Sequence, residues 1–189
     1  MITRYKNYLE FLDSKLKKMF ESQTPFINCK NGCTYCCEEG EYPLSELEYI
    51  YLMMGYESLK ADIKKEVDKN IEELLSQTRP KMYKCPFLVN KSCSIYHYRA
   101  VICRTFGLIS YDSKGKKKVP FCVDKGLNYA NVFDKKSSKI IALAPDGTEP
   151  VAFNIGREFL TNKEFEKEFG IFFGDDKALY DWLVEEKFT

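Results

Sequence analysis

Cys29, Cys33, Cys36 and Cys37 fall within nine residues as C-x3-C-x2-C-C, and Cys85, Cys93, Cys103 and Cys122 follow across thirty-eight. Thiols gathered this tightly point to crosslinks or to a metal. A tetrahedral zinc site takes four ligands with sulfur at about 2.3 Å, and steps of two or three residues let one tight turn place two sulfurs on one ion. Iron–sulfur clusters use the same ligand at comparable steps to bridge several irons. Cys29, Cys33 and Cys36 suit either. Gly32 precedes Cys33, where a knuckle calls for positive φ to turn backbone N–H groups toward sulfur. His97 is the single histidine, so a site of two cysteines and two histidines is excluded. Thiolate ligation favours zinc or iron–sulfur over magnesium, calcium or histidine-rich iron. Between Tyr96 and Tyr98, His97 itself reads as packed or exposed, not as a ligand.

The adjacent pair Cys36-Cys37 is unusual. Neighbouring side chains are expected to diverge, so the two sulfurs serve different centres, or one ligates while the other is buried or exchangeable. Eight thiolates fill two four-cysteine sites, or one site with spares, and spacing leaves both open. Nearby cations ease the charge of a thiolate cluster. Arg99 lies four residues before Cys103, on the sulfur's face of a helix, and Arg104 adjoins it. Lys30 and Lys84 read as solvated cations.

The surrounding chain has the means to fold without crosslinks. It has 189 residues, 44% hydrophobic and 15% aromatic, enough for one real core. A net charge of +1 makes no electrostatic case for nucleic acid or an anionic membrane. Met1 to Lys6 is charged with no apolar run behind it, unlike a secretory signal, and no stretch approaches a membrane span. These features predict a cytoplasmic protein. In that reducing setting clustered cysteines point to metal or redox chemistry before a disulfide framework.

The elements that must position the cysteines follow from periodicity. Tyr5, Leu9, Leu12, Leu16 and Met19/Phe20 form one helical stripe that Pro25 ends. Asn28 to Pro43 reads as loop. Ser45 and Glu48 make a capping box opening a helix to about Met54, closed by Gly55, and a second helix runs from about Glu57 to Gln77. Cys85–Val89 and Cys93–Tyr96 flank Asn90-Lys91-Ser92 as a hairpin or knuckle, followed by a short helix over Tyr98–Arg104. Strands are expected at Gly107–Tyr111, Lys117–Cys122 and Ile140–Leu143, and a turn at Pro145-Asp146-Gly147. Thr161 with Glu164 suggests another capping box, and Asp175/Asp176 the start of a last helix carrying Leu179, Trp182 and Leu183. With no repeat or linker, the expectation is one α+β domain over 1–189, mainly helical, with short β-hairpins around a cysteine-rich metal centre (motif core 26–125).

The run from Phe26 to Cys37, Pro43-Leu44-Ser45 to Glu48, Cys85-Pro86-Phe87-Leu88, Cys93-Ser94-Ile95-Tyr96, Arg99 and Cys103-Arg104 together resemble the YkgJ-type cysteine-cluster family, described as zinc- or iron-chelating. Ala100 departs from it, standing where the family has proline. The resemblance implies that the cysteines bind zinc or iron, the latter as an ion or an iron–sulfur cluster. Some relatives are described as flagellin lysine N-methylases, which makes an S-adenosylmethionine-dependent protein methyltransferase the second reading. A metal chaperone or redox sensor, suggested by Cys36-Cys37, is the third. The chain has no Gly-rich loop of the kind that cradles S-adenosylmethionine, and no nucleophile or general base stands out. The expected partner is a metal ion, with a protein substrate left open.

Overall fold

The computed structural model describes residues 1–30 and 32–188. The helices are α1 (Ile2–Ser22), α2 (Tyr35–Glu38), α3 (Glu46–Glu57), α4 (Ala61–Leu75), α5 (Val101–Thr105), α6 (Arg157–Leu160), α7 (Lys163–Phe169) and α8 (Leu179–Phe188). The strands are short: β1 (Pro43–Ser45), β2 (Leu88–Val89), β3 (Ser92–Cys93), β4 (Ile109–Tyr111), β5 (Lys117–Lys118), β6 (Phe133–Asp134), β7 (Lys139–Ile140), β8 (Ala152–Phe153) and β9 (Asp176–Ala178). This is a small α+β fold. Its contacts gather into two compact units, Met1–Asn31 with Arg104–Ile171, and Gly32–Cys103 with Phe172–Thr189. Among the described residues no helix is long and apolar enough to cross a membrane.

In the first unit α1 buries Tyr5, Leu9, Leu12 and Leu16 of the predicted stripe and adds Tyr8, while Met19 and Phe20 at its end are half-buried. Tyr8 packs on Phe165 and Phe169 of α7 with ring centroids 5.6 and 5.4 Å apart, and its hydroxyl donates to the Leu160 carbonyl at 2.5 Å. Pro25 follows the helix in a single 3-10 turn. The cap of α7 is Asn162, whose side chain accepts from the N–H groups of Glu164 and Phe165. The expected Thr161 box is thus displaced by one residue, because the amide oxygen of asparagine is the better N-cap. Strands β5, β4 and β8 form one sheet, β4 and β8 running parallel. Ile109 of this sheet is buried in one cluster with Phe26, Val123, Tyr129 and Val132. β6 and β7 pair separately, and the turn at Pro145-Asp146-Gly147 closes with Gly147 N–H on the Ala144 carbonyl.

In the second unit β1 pairs antiparallel with β9. Asp176 therefore belongs to a strand, and the last helix starts at Leu179. Backbone pairing with Leu44 and the burial of Ala178 outweigh the local helix-start signal of the two aspartates. From α8, Trp182 stacks on Tyr49 at 5.2 Å and donates its indole N–H to the Leu44 carbonyl. The Ser45/Glu48 capping box is present as expected. α3, however, does not stop at Gly55. It continues to Glu57, with Gly55 buried inside it, because a Cβ at Gly55 would lie 2.6 Å from the Tyr98 ring. The glycine admits an aromatic neighbour; it does not end the helix. Gly55→Ala is accordingly expected to lower stability by about 1–3 kcal/mol despite alanine's better helix propensity. A melting temperature equal to or above the parent's would contradict this packing.

Candidate metal centre

Cys36 and Cys37 lie on the single turn α2, closed by Cys37 N–H on the Thr34 carbonyl at 2.7 Å. Their sulfurs stand 4.0 Å apart. The expected divergence does not occur, because helical neighbours are offset by about 100° whereas in extended chain they face opposite ways. Beyond α2 the chain bridges to the segment before Cys85: Gly40 and Tyr83 exchange backbone hydrogen bonds, and Cys85 N–H donates to the Cys37 carbonyl at 2.8 Å. Cys85 opens a knuckle in which Leu88 N–H returns to its carbonyl at 3.0 Å, and the Phe87 N–H eases charge on its sulfur. β2 and β3 then pair Leu88 with Cys93 across Asn90-Lys91. Both turn residues have positive φ, 50° and 56°, the geometry of a two-residue hairpin turn that follows strand twist. The Ile95 N–H likewise eases charge on the Cys93 sulfur.

Cys103 is on α5, and a buried carboxylate positions that helix. Glu48 is wholly buried. One of its oxygens accepts from the N–H and hydroxyl of Ser45, and the other from Val101 N–H at the start of α5, each at 2.8 Å. The capping box thus reaches 53 residues along the chain to hold a cysteine-bearing helix. Glu48→Ala should cost about 3 kcal/mol or more, since three donors around a buried side chain lose their acceptor. Denaturant unfolding would measure this, and a loss under 1 kcal/mol would exclude the role.

Charge ties these cysteines together. The Cys36 thiol is lowered to about 7, chiefly by the hydrogen bond from Cys37, with the Arg99 guanidinium adding to it. Cys37 is driven up by the same bond, then by burial and by charge on Cys36, Cys85 and Cys103. Burial raises Cys85 and Cys93, opposed in each by the N–H on sulfur, and pushes Cys103 to about 12. Arg99 acts on Cys36, Cys93 and Cys103 alike. It lies over the Tyr96 ring at 3.6 Å, with its Nε donating to the Tyr96 carbonyl. Tyr42 was not singled out from sequence. Its phenol feels the charge of Cys85, Cys37, Cys103 and Cys36, and its hydroxyl is 3.2 Å from the Cys36 and Tyr83 carbonyls. A tyrosine in a loop carries no sequence signal for such a place.

The other expected residues have contacts of their own. Arg104 pairs with Asp13 at 2.6 Å, within the first unit. Cys29, also in that unit, has its sulfur 3.2 Å from the Asn128 side-chain nitrogen, which also donates to the Gly107 carbonyl at 2.8 Å. Asn128, fully buried, is a second residue that sequence reasoning missed. Cys33 is exposed, Cys122 is buried in the first unit, and His97 is exposed. None of the cysteines among the described residues is in a disulfide, and no three of their His, Cys, Asp and Glu side chains converge tightly enough, as they stand, to grip an ion.

Comparison with known families matches residues 28–123, which contain all eight cysteines, to CxxCxxCC, described as "Putative zinc- or iron-chelating domain". The family name spells two residues in its first gap, where this chain has Lys30, Asn31 and Gly32. No curated protein and no solved structure matches the chain. The match spans half of the sequence and the cysteine groups that dominate it: the chain belongs to the CxxCxxCC family of zinc- or iron-chelating domains.

Proposed function

We propose that the chain is a thiolate metal protein in which Cys36, Cys85, Cys93 and Cys103 hold one zinc or iron ion. In this reading Cys37 donates its thiol to Cys36, and Arg99 supplies the neighbouring positive charge. The observation that carries it is the 4.0 Å contact of the Cys36 and Cys37 sulfurs, together with the charge that couples Cys36, Cys85, Cys93 and Cys103 and sets Arg99 beside three of them. Donors to sulfur favour the thiolate, and the thiolate is the ligand form.

The donor set fits such an ion. Four sulfurs at 2.3 Å from a tetrahedral centre are about 3.8 Å apart. One guanidinium cannot balance several thiolates, and a bound cation would supply the remaining positive charge. Ligand deprotonation and metal binding are coupled, so these half-buried thiols keep their protons until an ion draws them in. Cys29, Cys33 and Cys122 are outside the four. An iron–sulfur cluster would use the same sulfurs, and colour distinguishes it from zinc. Protein purified without oxygen is expected to carry about one zinc or iron per chain by elemental analysis, with a visible spectrum separating the two. Folded protein free of both metals would refute the proposal.

A further inference from the structure

A groove of about 470 Å³ opens in the second unit between the end of α3, the start of α4 and the β2–β3 hairpin with the turn after it. It falls in the range of about 300–1,000 Å³ typical of small-molecule sites. Sequence features shape it. The bare Gly55 lets the Tyr98 ring lie against α3, and the turn before it closes through Tyr98 N–H on the Ile95 carbonyl at 2.8 Å. Leu59, Ile63, Val89 and Ile95 give the groove an apolar lining.

Its charge is one-sided. Lys60 and His97 line it, and no aspartate or glutamate does. Among the described residues no carboxylate pairs with Lys60. The nearby Glu57 is taken by Lys64 at 2.6 Å, so its charge is already answered. A lone ammonium at the edge of an apolar groove complements a molecule with an apolar body and one negative end. Burial of the body supplies most of the affinity and the charge sets the orientation.

We propose that this groove binds a small organic carboxylate with an aromatic or branched aliphatic body. Lys60 takes the carboxylate, and the four aliphatic side chains take the body. The groove shares the β2–β3 hairpin with Cys93, but the proposal does not depend on which metal the thiolates hold.

The chain's one histidine makes the test direct, because its imidazole proton signals are a single reporter at the groove. Full-length, metal-replete protein is titrated with indole-3-acetate, with the neutral indole-3-acetamide and with the cationic tryptamine. The acid is expected to shift the His97 signal saturably at sub-millimolar concentration, about fivefold or more tighter than the amide, with tryptamine weaker still. Lys60→Ala, an exposed change, should remove the preference for the acid and keep the weaker binding of the amide. No saturable shift up to several millimolar, equal binding of all three, or an unchanged preference in Lys60→Ala would overturn the proposal.

Discussion

Replacing Cys85 with serine is expected to reduce metal affinity by at least about 100-fold, the upper end of what outer-shell changes alone produce. Serine at neutral pH keeps its proton and offers no thiolate. The Phe87 N–H that favours charge on sulfur would then face a neutral hydroxyl. Cys93→Ser and Cys103→Ser should behave alike. Cys37→Ser should fall between them and the parent, because a serine hydroxyl still donates to the Cys36 sulfur. Cys29→Ser and Cys33→Ser should leave affinity within a few-fold. Competition against a chelator of known affinity measures each. Full metal retention in Cys85→Ser, with loss in Cys29→Ser, would refute the ligand set.

The same experiment separates metal from scaffold. The second unit has its own apolar core, including Leu44, Leu52, Val67, Phe87, Leu179 and Trp182. It should therefore not depend on metal for folding as outright as a zinc finger does. A ligand present at 1,000 times its dissociation constant adds about 4 kcal/mol. Chelation should thus lower the melting temperature by several degrees and keep a cooperative transition. Cys85→Ser should already sit at the chelated value.

What the sequence displayed was local. The stripe of α1, the Ser45/Glu48 box and the hairpin around Asn90 each rest on contacts a few residues apart, and each formed where expected. The failures were set by distant partners. Asp176–Ala178 looks like a helix start until Pro43–Ser45 pairs with it. Gly55 looks like a stop until Tyr98 fills the space a side chain would need. Cys36 and Cys37 diverge only if their backbone is extended, and one helical turn brings them together. The cysteine groups were legible because thiol spacing is itself chemical information. Their division between two units was not, since which side of Asn31 a cysteine packs with depends on cores built from residues over 100 and 170. Glu48 shows both limits at once: its bond to Ser45 is written in the sequence, and its bond to Val101 is not.

Protons should act on the metal-free and metal-bound protein with opposite sign, and by large amounts. Without metal, Cys85, Cys93 and Cys103 have raised pKa values in the folded chain. Their contribution to stability is complete below the ordinary thiol value of about 8.5 and is lost above it. The unfolded chain releases protons there that the folded chain retains. Each such thiol removes up to about 1.4 kcal/mol per pH unit until its folded pKa is reached. Cys36, lowered to about 7, works the other way between its two values, but it is one group against four, since Cys37 is raised as well. Metal-free stability should therefore decline from about pH 8.5 to 10. Metal binding must instead expel the protons held on those three thiols, so its affinity should rise with pH, by roughly 10³-fold per unit where three protons leave together. Chelator competition at pH 6.5, 7 and 7.5, with denaturant unfolding of metal-free protein at pH 8, 9 and 10, tests both arms. Affinity independent of pH, or metal-free stability that climbs above pH 9, would show that thiols with raised pKa values are not the ligands.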